Sequence, residues 1–194
     1  MARNDTTSTV IDGILRFTVT SGAITAGLVI PNLLIGLEKP LSIFWKHLDR
    51  RERERELHRV VSYMKSNHLL RGDYEHGLQI TDKGRERLSQ LDFDNLSVQQ
   101  PKKWDGSWHL VIYDIPEKQR VGRKALTSKL NDLGFYQLQR SVWLHPFPCR
   151  KVTETVTSRY KVGQYISYIK TSHIDNERVL IQKFKKKYPR TSFK

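Results

Sequence analysis

The feature of this sequence that most limits its fold is a polar connector, residues 92–103, at which the spacing of the apolar side chains changes. Before the connector, apolar residues recur at helical spacings and end in two short strand-like runs. After it, β-prone runs alternate with helical segments. A chain of 194 residues can form two small domains. We therefore predict an α+β protein with domains at residues 10–91 and 104–185, followed by a basic tail at residues 186–194.

A charged helix is predicted from Asp49 to Asn67 in the first domain. With a rotation of about 100° per residue, apolar side chains cluster on one of its sides. They are Leu57, Val60, Val61 and Met64. Five polar side chains cover the opposite side: Arg51, Arg55, Arg59, Ser62 and Ser66. Two interpretations are open at this point, a face that binds DNA or a solvated face stabilised by ion pairs between residues four apart.

A β-hairpin is predicted directly after the charged helix. Leu69 to Tyr74 and Leu78 to Thr81 are β-prone, and Gly77 between them can adopt a positive φ. The following residues from Thr81 to Leu88, TDKGRERL, have the threonine, glycine and leucine spacing of the closing segment of winged-helix regulators. The hairpin is then in the position of the wing.

Residues 10–91 as a whole resemble a winged helix-turn-helix domain in the order and length of their predicted elements. The resemblance implies that the helix containing Arg51 to Ser66 enters the major groove of double-stranded DNA. It also implies that the wing, with Tyr74 and His76, touches the DNA backbone or the minor groove.

The second domain begins with a strongly β-prone run from Trp108 to Tyr113. A helix from Lys118 to Leu133 follows, and Gly134 ends it. Two strands, a helix and a further strand complete the order β-α-β-β-α-β, which is the ferredoxin-like arrangement. Because such a sheet has open edges and one open face, we expect the protein to form a homodimer through this domain.

Three short motifs in this domain carry a resemblance to a known family. They are YDI at Tyr113–Ile115, LGF at Leu133–Phe135 and QRSVW at Gln139–Trp143. Residues 101–185 resemble the central domain of PaaX-type transcriptional repressors, which is similar to the small CRISPR-associated adaptation endonuclease. A preceding winged helix matches the repressors rather than the stand-alone nuclease. The resemblance implies a sequence-specific repressor that binds double-stranded DNA.

Asp114 is the residue with the clearest potential for chemistry. In the nuclease family that the domain resembles, the matching aspartate and its copy in the partner subunit are proposed to hold one Mg²⁺. One carboxylate per chain supplies few ligands for a metal ion, and neither Asp105 nor Glu117 has a spacing typical of a metal centre. We expect Asp114 to cap the helix that begins near Glu117. The alternative is a Mg²⁺-dependent endonuclease or CRISPR adaptation subunit that uses Asp114.

The charge of the chain points to a polyanionic partner. Lys and Arg number 34 against 20 Asp and Glu, which gives a net charge of +14. Residues 1–100 hold 14 basic and 13 acidic side chains, whereas residues 101–194 hold 20 and 7. Three lysines of the basic segment from Lys183 to Arg190 are therefore further candidates for DNA contact, with a solvated chain end as the equal alternative. They are Lys185, Lys186 and Lys187.

The remaining expectations concern compartment, cofactors and aromatic residues. Phe17 to Leu37 contains no charge over 21 positions, but its Thr, Ser, Gly, Pro and Asn residues lower its hydropathy, so a membrane span is not expected. The single cysteine, Cys149, fits a reducing, cytoplasmic compartment and is expected to be inert. The histidines show no zinc-binding spacing, and no cofactor is expected. Trp104, Trp108 and Trp143 are expected to pack rather than stack on bases.

Overall fold

The computed structural model describes residues 3–21, 29–74 and 76–193. The chain forms two compact units, Met1–Asn95 and Leu96–Lys194. The division between them lies within the connector 92–103. Each unit combines helices with an antiparallel sheet, as expected for a protein of mixed α and β structure.

The first unit is mainly helical, with one two-stranded sheet among its described residues. Its elements in chain order are α1 (Arg3–Ser21), α2 (Val29–Leu37), α3 (Ser42–Trp45), α4 (Arg50–Ser66), β1 (Leu70–Asp73), β2 (Gly77–Ile80) and α5 (Asp82–Asp94). The predicted charged helix corresponds to α4. A reciprocal cap fixes its start, because the Asp49 side chain accepts from the Glu52 amide and the Glu52 side chain accepts from the Asp49 amide.

The predicted apolar side of α4 forms part of the core of this unit. Leu57, Val60, Val61 and Met64 are all fully buried. They belong to one cluster with apolar residues of α1, α2 and both strands. Burial of this side leaves the opposite side of α4 free to face solvent.

The junction between the hairpin and α5 explains the threonine and glycine of the TDKGRERL segment. Thr81 caps α5 by accepting from the Gly84 amide, and its hydroxyl donates to the carbonyl oxygen of His68. A Cβ atom at Gly84 would lie 2.4 Å from the carbonyl oxygen of Leu69. Only a glycine therefore allows α5 to approach β1 this closely.

The second unit contains a four-stranded antiparallel sheet. Its elements in chain order are β3 (Trp108–Tyr113), α6 (Arg120–Asp132), β4 (Tyr136–Gln139), β5 (Val142–His145), α7 (Arg150–Arg159), β6 (Ile166–Thr171) and α8 (Glu177–Lys187). The strands lie side by side in the order β4-β5-β3-β6. The order β-α-β-β-α-β predicted from the sequence is observed from β3 to β6. The additional helix α8 was not predicted.

The two faces of this sheet are covered to different extents. Val111 and its neighbour Trp143 on β5 point to the same face and are buried. The next residues along the strands point to the other face. There, Trp108 is buried against Phe184 of α8, with ring centroids 5.8 Å apart, but Leu110 is only half-buried and its neighbour Ile169 is 47% exposed. Leu144, which lies beside Leu110 on β5, is fully buried, so this face is covered over β5 and open towards β6.

Parts of the segments predicted as a connector and a tail lie in regular structure. Helix α5 continues to Asp94, and α8 includes Lys186 and Lys187. The chain after α8 then pairs with the start of the second unit, since Ser192 donates to the Lys102 carbonyl and accepts from the Trp104 amide, both at 2.9 Å. Residues 186–193 are therefore not a free tail. Burial of the apolar residues Tyr188 and Phe193 drives this packing.

None of the described helices is long and apolar enough to cross a membrane. The uncharged run from Phe17 to Leu37 includes the end of α1 and all of α2. Its residues 22–28 lie outside the described residues.

Candidate nucleic-acid interface

The first candidate surface is the basic face of α4, which we define as Arg51, Arg55, Arg59 and Ser62. All four side chains are exposed, as the predicted helix periodicity requires. Arg51 and Arg55 form no ion pair with any described residue. Their guanidinium groups are therefore available to phosphate oxygens or to guanine bases.

Arg59 differs from the other two arginines because it is already partnered. Its side chain donates to the Glu56 carboxylate at 2.9 Å, and this hydrogen bond to Glu56 raises the pKa of Arg59. It also contacts the Thr7 hydroxyl at 3.3 Å. The Arg59 side chain is 53% exposed, so the pair is a surface ion pair, which is weak and can open.

Ser66, the last residue predicted for this face, is satisfied within its own helix. Its hydroxyl donates to the Tyr63 carbonyl at 2.9 Å. It is exposed at the end of α4, where Asn67 also donates to the same carbonyl oxygen. Ser66 thus closes the helix end, and its hydroxyl oxygen remains available as an acceptor.

The hairpin places its two predicted contact residues in different environments. The Tyr74 ring is half-buried against His58 of α4, with ring centroids 5.0 Å apart, and burial raises the pKa of Tyr74. Tyr74 therefore attaches the hairpin to α4 rather than extending from its tip. His76 is exposed, and its ring lies 3.0 Å from the Asp73 carboxylate. Glu75 lies outside the described residues.

The three predicted lysines of the C-terminal segment occupy the last turn of α8 in the second unit. Lys185, Lys186 and Lys187 are all exposed. Cations at this end of a helix interact favourably with its dipole. Their charge therefore has a structural role in addition to any contact with an anion.

Asp114 does not act as the helix cap that the sequence predicts. The short 3-10 helix Glu117–Gln119 follows it, and the residue at the capping position is Pro116, with no side-chain hydrogen bond. Ile115 and Pro116 separate Asp114 from the first backbone amide of this 3-10 helix, that of Glu117. The Asp114 carboxylate is therefore out of reach of the helix amides. The Asp114 side chain is exposed and accepts no hydrogen bond within the described ranges, whereas its backbone amide donates to the Tyr165 carbonyl.

The acidic groups near Asp114 do not form a metal site in one chain. Glu117 is engaged by Arg123, with Nη2 and Oε2 2.6 Å apart. Among the residues that the structure describes, no group of three or more His, Cys, Asp or Glu side chains could hold a metal ion. One carboxylate per chain holds Mg²⁺ only when waters and ligands from outside the chain complete its coordination.

The second candidate surface is a groove between α6 and the β4–β5 hairpin, here called the α6 groove. Its volume is about 730 Å³. It is lined by Tyr113, Glu117, Arg120, Arg123, Lys124, Thr127, Ser128, Gln137, Arg140 and Trp143. Sequence reasoning missed this site. The sequence did contain a signal for it. From Arg120 to Ser128, polar side chains recur at positions i, i+3, i+4, i+7 and i+8, and this spacing places one face of α6 on the groove.

Two titratable groups of the second unit belong to its core and not to either surface. His145 is fully buried, and burial lowers its pKa to about 3. Its Nδ1 accepts from the Phe147 amide, and its Nε2 lies 3.1 Å from the Tyr188 hydroxyl. Cys149 is buried, and burial raises the pKa of its thiol to about 12. Such a thiol is inert, as predicted.

The tryptophans of the second unit also pack in its interior, as predicted. Trp104, Trp108 and Trp143 are at most 6% exposed. Their rings are thus not available to stack on nucleic-acid bases in this arrangement.

The comparison with protein families matches a large part of the second unit. Residues 101–179 match the family described as PaaX protein central Cas2-like domain. The match covers β3 to β6 and the groove between α6 and the hairpin. A search of curated proteins gave no match to this chain.

Proposed function

We propose, from the premise that residues 101–179 belong to the PaaX central Cas2-like domain family, that this protein is a transcriptional regulator of the repressor type that binds double-stranded DNA sequence-specifically. The observation that carries the proposal is the fusion of this domain to a unit with a free basic helix face next to a hairpin. A family domain alone would not indicate a DNA reader, since one fold serves many functions.

The first unit is proposed to act as a winged helix. In this proposal α4 enters the major groove with Arg51 and Arg55 towards base edges, and Arg59 exchanges Glu56 for a phosphate. The β1–β2 hairpin is the wing, and exposed His76 touches the DNA backbone or the minor groove. Tyr74 contributes by holding the wing against α4. Helix α5, fixed by Thr81 and Gly84, supports the hairpin from behind.

The second unit is proposed to form the homodimer. Two observations support this: β4 and β6 are edge strands, and the sheet face with Leu110 and Ile169 is partly uncovered. Val179 of α8 is a further exposed apolar residue, at 52% exposure. Two-fold symmetry of the dimer then requires a palindromic binding site on DNA.

The experiment that tests the regulator proposal is selection of bound fragments from random double-stranded DNA with the purified full chain. We expect one enriched palindrome with a fixed half-site spacing. Binding without enrichment of any sequence, or dependence on DNA ends, would contradict the proposal. The dimer is tested on the full chain by sedimentation, in which Ile169→Asp should shift the mass from dimer to monomer and Val121→Asp, an exposed position on α6, should not.

A second candidate function, a Mg²⁺-dependent endonuclease, is favoured by one observation, the free carboxylate of Asp114. Because one chain supplies a single suitable carboxylate, this function requires Asp114 from a second copy. The test compares wild type with Asp114→Asn on labelled single- and double-stranded substrates, with Mg²⁺ or Mn²⁺. Cleavage by wild type that chelator and the substitution both abolish would establish the nuclease. An equal absence of cleavage in both proteins would reject it.

A further inference from the structure

We infer that the α6 groove binds a phosphate-bearing anion, which is a function separate from the DNA reading proposed for α4. The volume of about 730 Å³ lies within the range of roughly 300–1,000 Å³ typical of small-ligand sites. Four of the lining side chains are cations and only one, Glu117, is an anion. The remaining polar lining is neutral, so the groove has a net positive charge.

The cations of the groove are only partly neutralised by the protein itself. Glu117 contacts Arg123 at 2.6 Å and Arg120 at 4.0 Å, and these two contacts use its charge. Lys124 and Arg140 are exposed and form no ion pair with a described residue. Since they face the same concave surface as Arg120, an anion of more than one charge would relieve their mutual repulsion.

The rim of the groove is fixed before any ligand arrives. The Arg140 carbonyl accepts from the Tyr113 hydroxyl at 3.0 Å and from the Gln137 amide at 3.3 Å. The Trp143 indole in turn donates to the Tyr113 hydroxyl at 3.4 Å. These bonds hold the turn that carries the Arg140 side chain, so that binding requires little further ordering of the backbone.

The opposite wall is fixed in a similar way. Arg123 donates to the Ile115 carbonyl at 3.3 Å as well as to Glu117, and this holds the first turn of α6. Arg120 and Lys124 project from that turn and the next one. Ser128 adds an exposed hydroxyl further along the same face.

The chemistry of this donor set matches phosphate better than a single carboxylate. Guanidinium groups bind phosphate oxygens with paired, charge-assisted hydrogen bonds, and lysine adds a point charge. A carboxylate carries one charge and two oxygens, and would leave part of the set unmatched. Two sources have the required chemistry, a free phosphorylated small molecule and the phosphate backbone of a nucleic acid.

The proposal is tested by isothermal titration calorimetry with pyrophosphate at low salt. Lys124→Gln with Arg140→Gln removes the two unpaired cations of the groove. Lys102→Gln with Lys151→Gln is the matched control, because it removes two exposed cations of the same unit outside the groove. We expect the groove variant to lose at least about tenfold in affinity and the control to lose less than about twofold. Equal losses, or no binding of pyrophosphate by wild type, would overturn the proposal.

The source of the phosphate is identified by the same variants with a random duplex of about 20 base pairs at several salt concentrations. If the groove holds the nucleic-acid backbone, the salt slope falls by about two units in the groove variant relative to the control. If the ligand is a free phosphorylated molecule, the slope matches that of the control while pyrophosphate binding is still lost. Arg51→Gln with Arg55→Gln must keep pyrophosphate affinity, which separates this inference from the proposed DNA reader.

Discussion

The basic face of α4 and the α6 groove both use cations that recur at helical spacing along one side of a helix. They differ in the acidic residues around those cations. Glutamates alternate with the arginines of α4, and two of them pair with Arg50 and Arg59. From Arg120 to Ser128, α6 carries no acidic residue. The first surface thus offers two free arginines on a helix whose other arginines are ion-paired or bonded to backbone carbonyls, whereas the second gathers cations from a helix and a hairpin around one cavity.

In the proposed function, the unit that reads the DNA sequence is therefore not the unit with the highest net charge. The first half of the chain is nearly neutral, with 14 basic and 13 acidic side chains, and the excess lies in the second half. A protein reads a DNA sequence through a few free hydrogen-bond donors that reach base edges at defined positions. Contacts to phosphate carry no sequence information. Binding of phosphate without regard to sequence benefits instead from accumulated, unpaired charge.

The largest expected effect comes from removing the two free arginines of α4. Arg51→Gln with Arg55→Gln should weaken binding to the selected palindrome by roughly 30-fold or more, since each base contact contributes about 1–3 kcal/mol. Fluorescence anisotropy at fixed salt measures this. Lys83→Gln with Arg85→Gln, which removes the same charge from α5, is the control and should lose much less. Equal losses would mean that α4 contributes only general charge.

The next effect distinguishes the two units by their response to acid. The histidines of the first unit are exposed, whereas His145 of the second is buried and neutral, with its pKa lowered to about 3. Below its ordinary pKa of about 6.5, His145 gains a proton only on unfolding, so stability falls as the pH decreases from there towards 3. Between pH 6.5 and 5 the second unit should lose about 2 kcal/mol.

Urea unfolding followed by tryptophan fluorescence measures this loss, because three of the four tryptophans lie in the second unit. His145→Gln is the control: it lowers stability at pH 7 but should flatten the dependence on pH. His109 also has its pKa lowered by burial and contributes in the same direction. A variant that keeps the full slope would assign the acid response to another group.

A smaller effect is expected from Gly84→Ala, which disturbs the support of the proposed wing. The new Cβ would lie 2.4 Å from the Leu69 carbonyl oxygen, so backbone must move. Overpacking of this kind costs about 1–3 kcal/mol, and the better helix propensity of alanine offsets part of it. We expect a net loss of about 1–2 kcal/mol in thermal unfolding of the first unit. Glu86→Ala, on the exposed side of α5, should change stability by less than about 0.5 kcal/mol.

The sequence predicted those parts of the molecule that depend on local periodicity. The apolar side of α4, the strand Trp108 to Tyr113 and the order of elements in the second unit all follow from residue spacing. Helix α8 was missed because its lysines were interpreted only as DNA contacts or as a solvated chain end, although Leu180, Phe184 and Tyr188 recur every four residues. The α6 groove could not be derived in full, since Arg140 reaches it only through the pairing of β4 and β5.

The smallest effect concerns Asp114 and contrasts it with Asp49, the aspartate that does cap a helix. The Asp49 side chain accepts from the Glu52 amide at 2.8 Å, whereas the Asp114 side chain accepts no hydrogen bond from a described residue. Asp49→Ala should therefore destabilise the first unit by about 1 kcal/mol. Asp114→Ala should change the stability of the second unit by less than about 0.5 kcal/mol, as at other exposed surface positions. Paired urea titrations at pH 7 measure both values. A loss of about 1 kcal/mol at Asp114 would mean that its carboxylate reaches the amides beyond Pro116 in solution, and would restore the capping role predicted from the sequence.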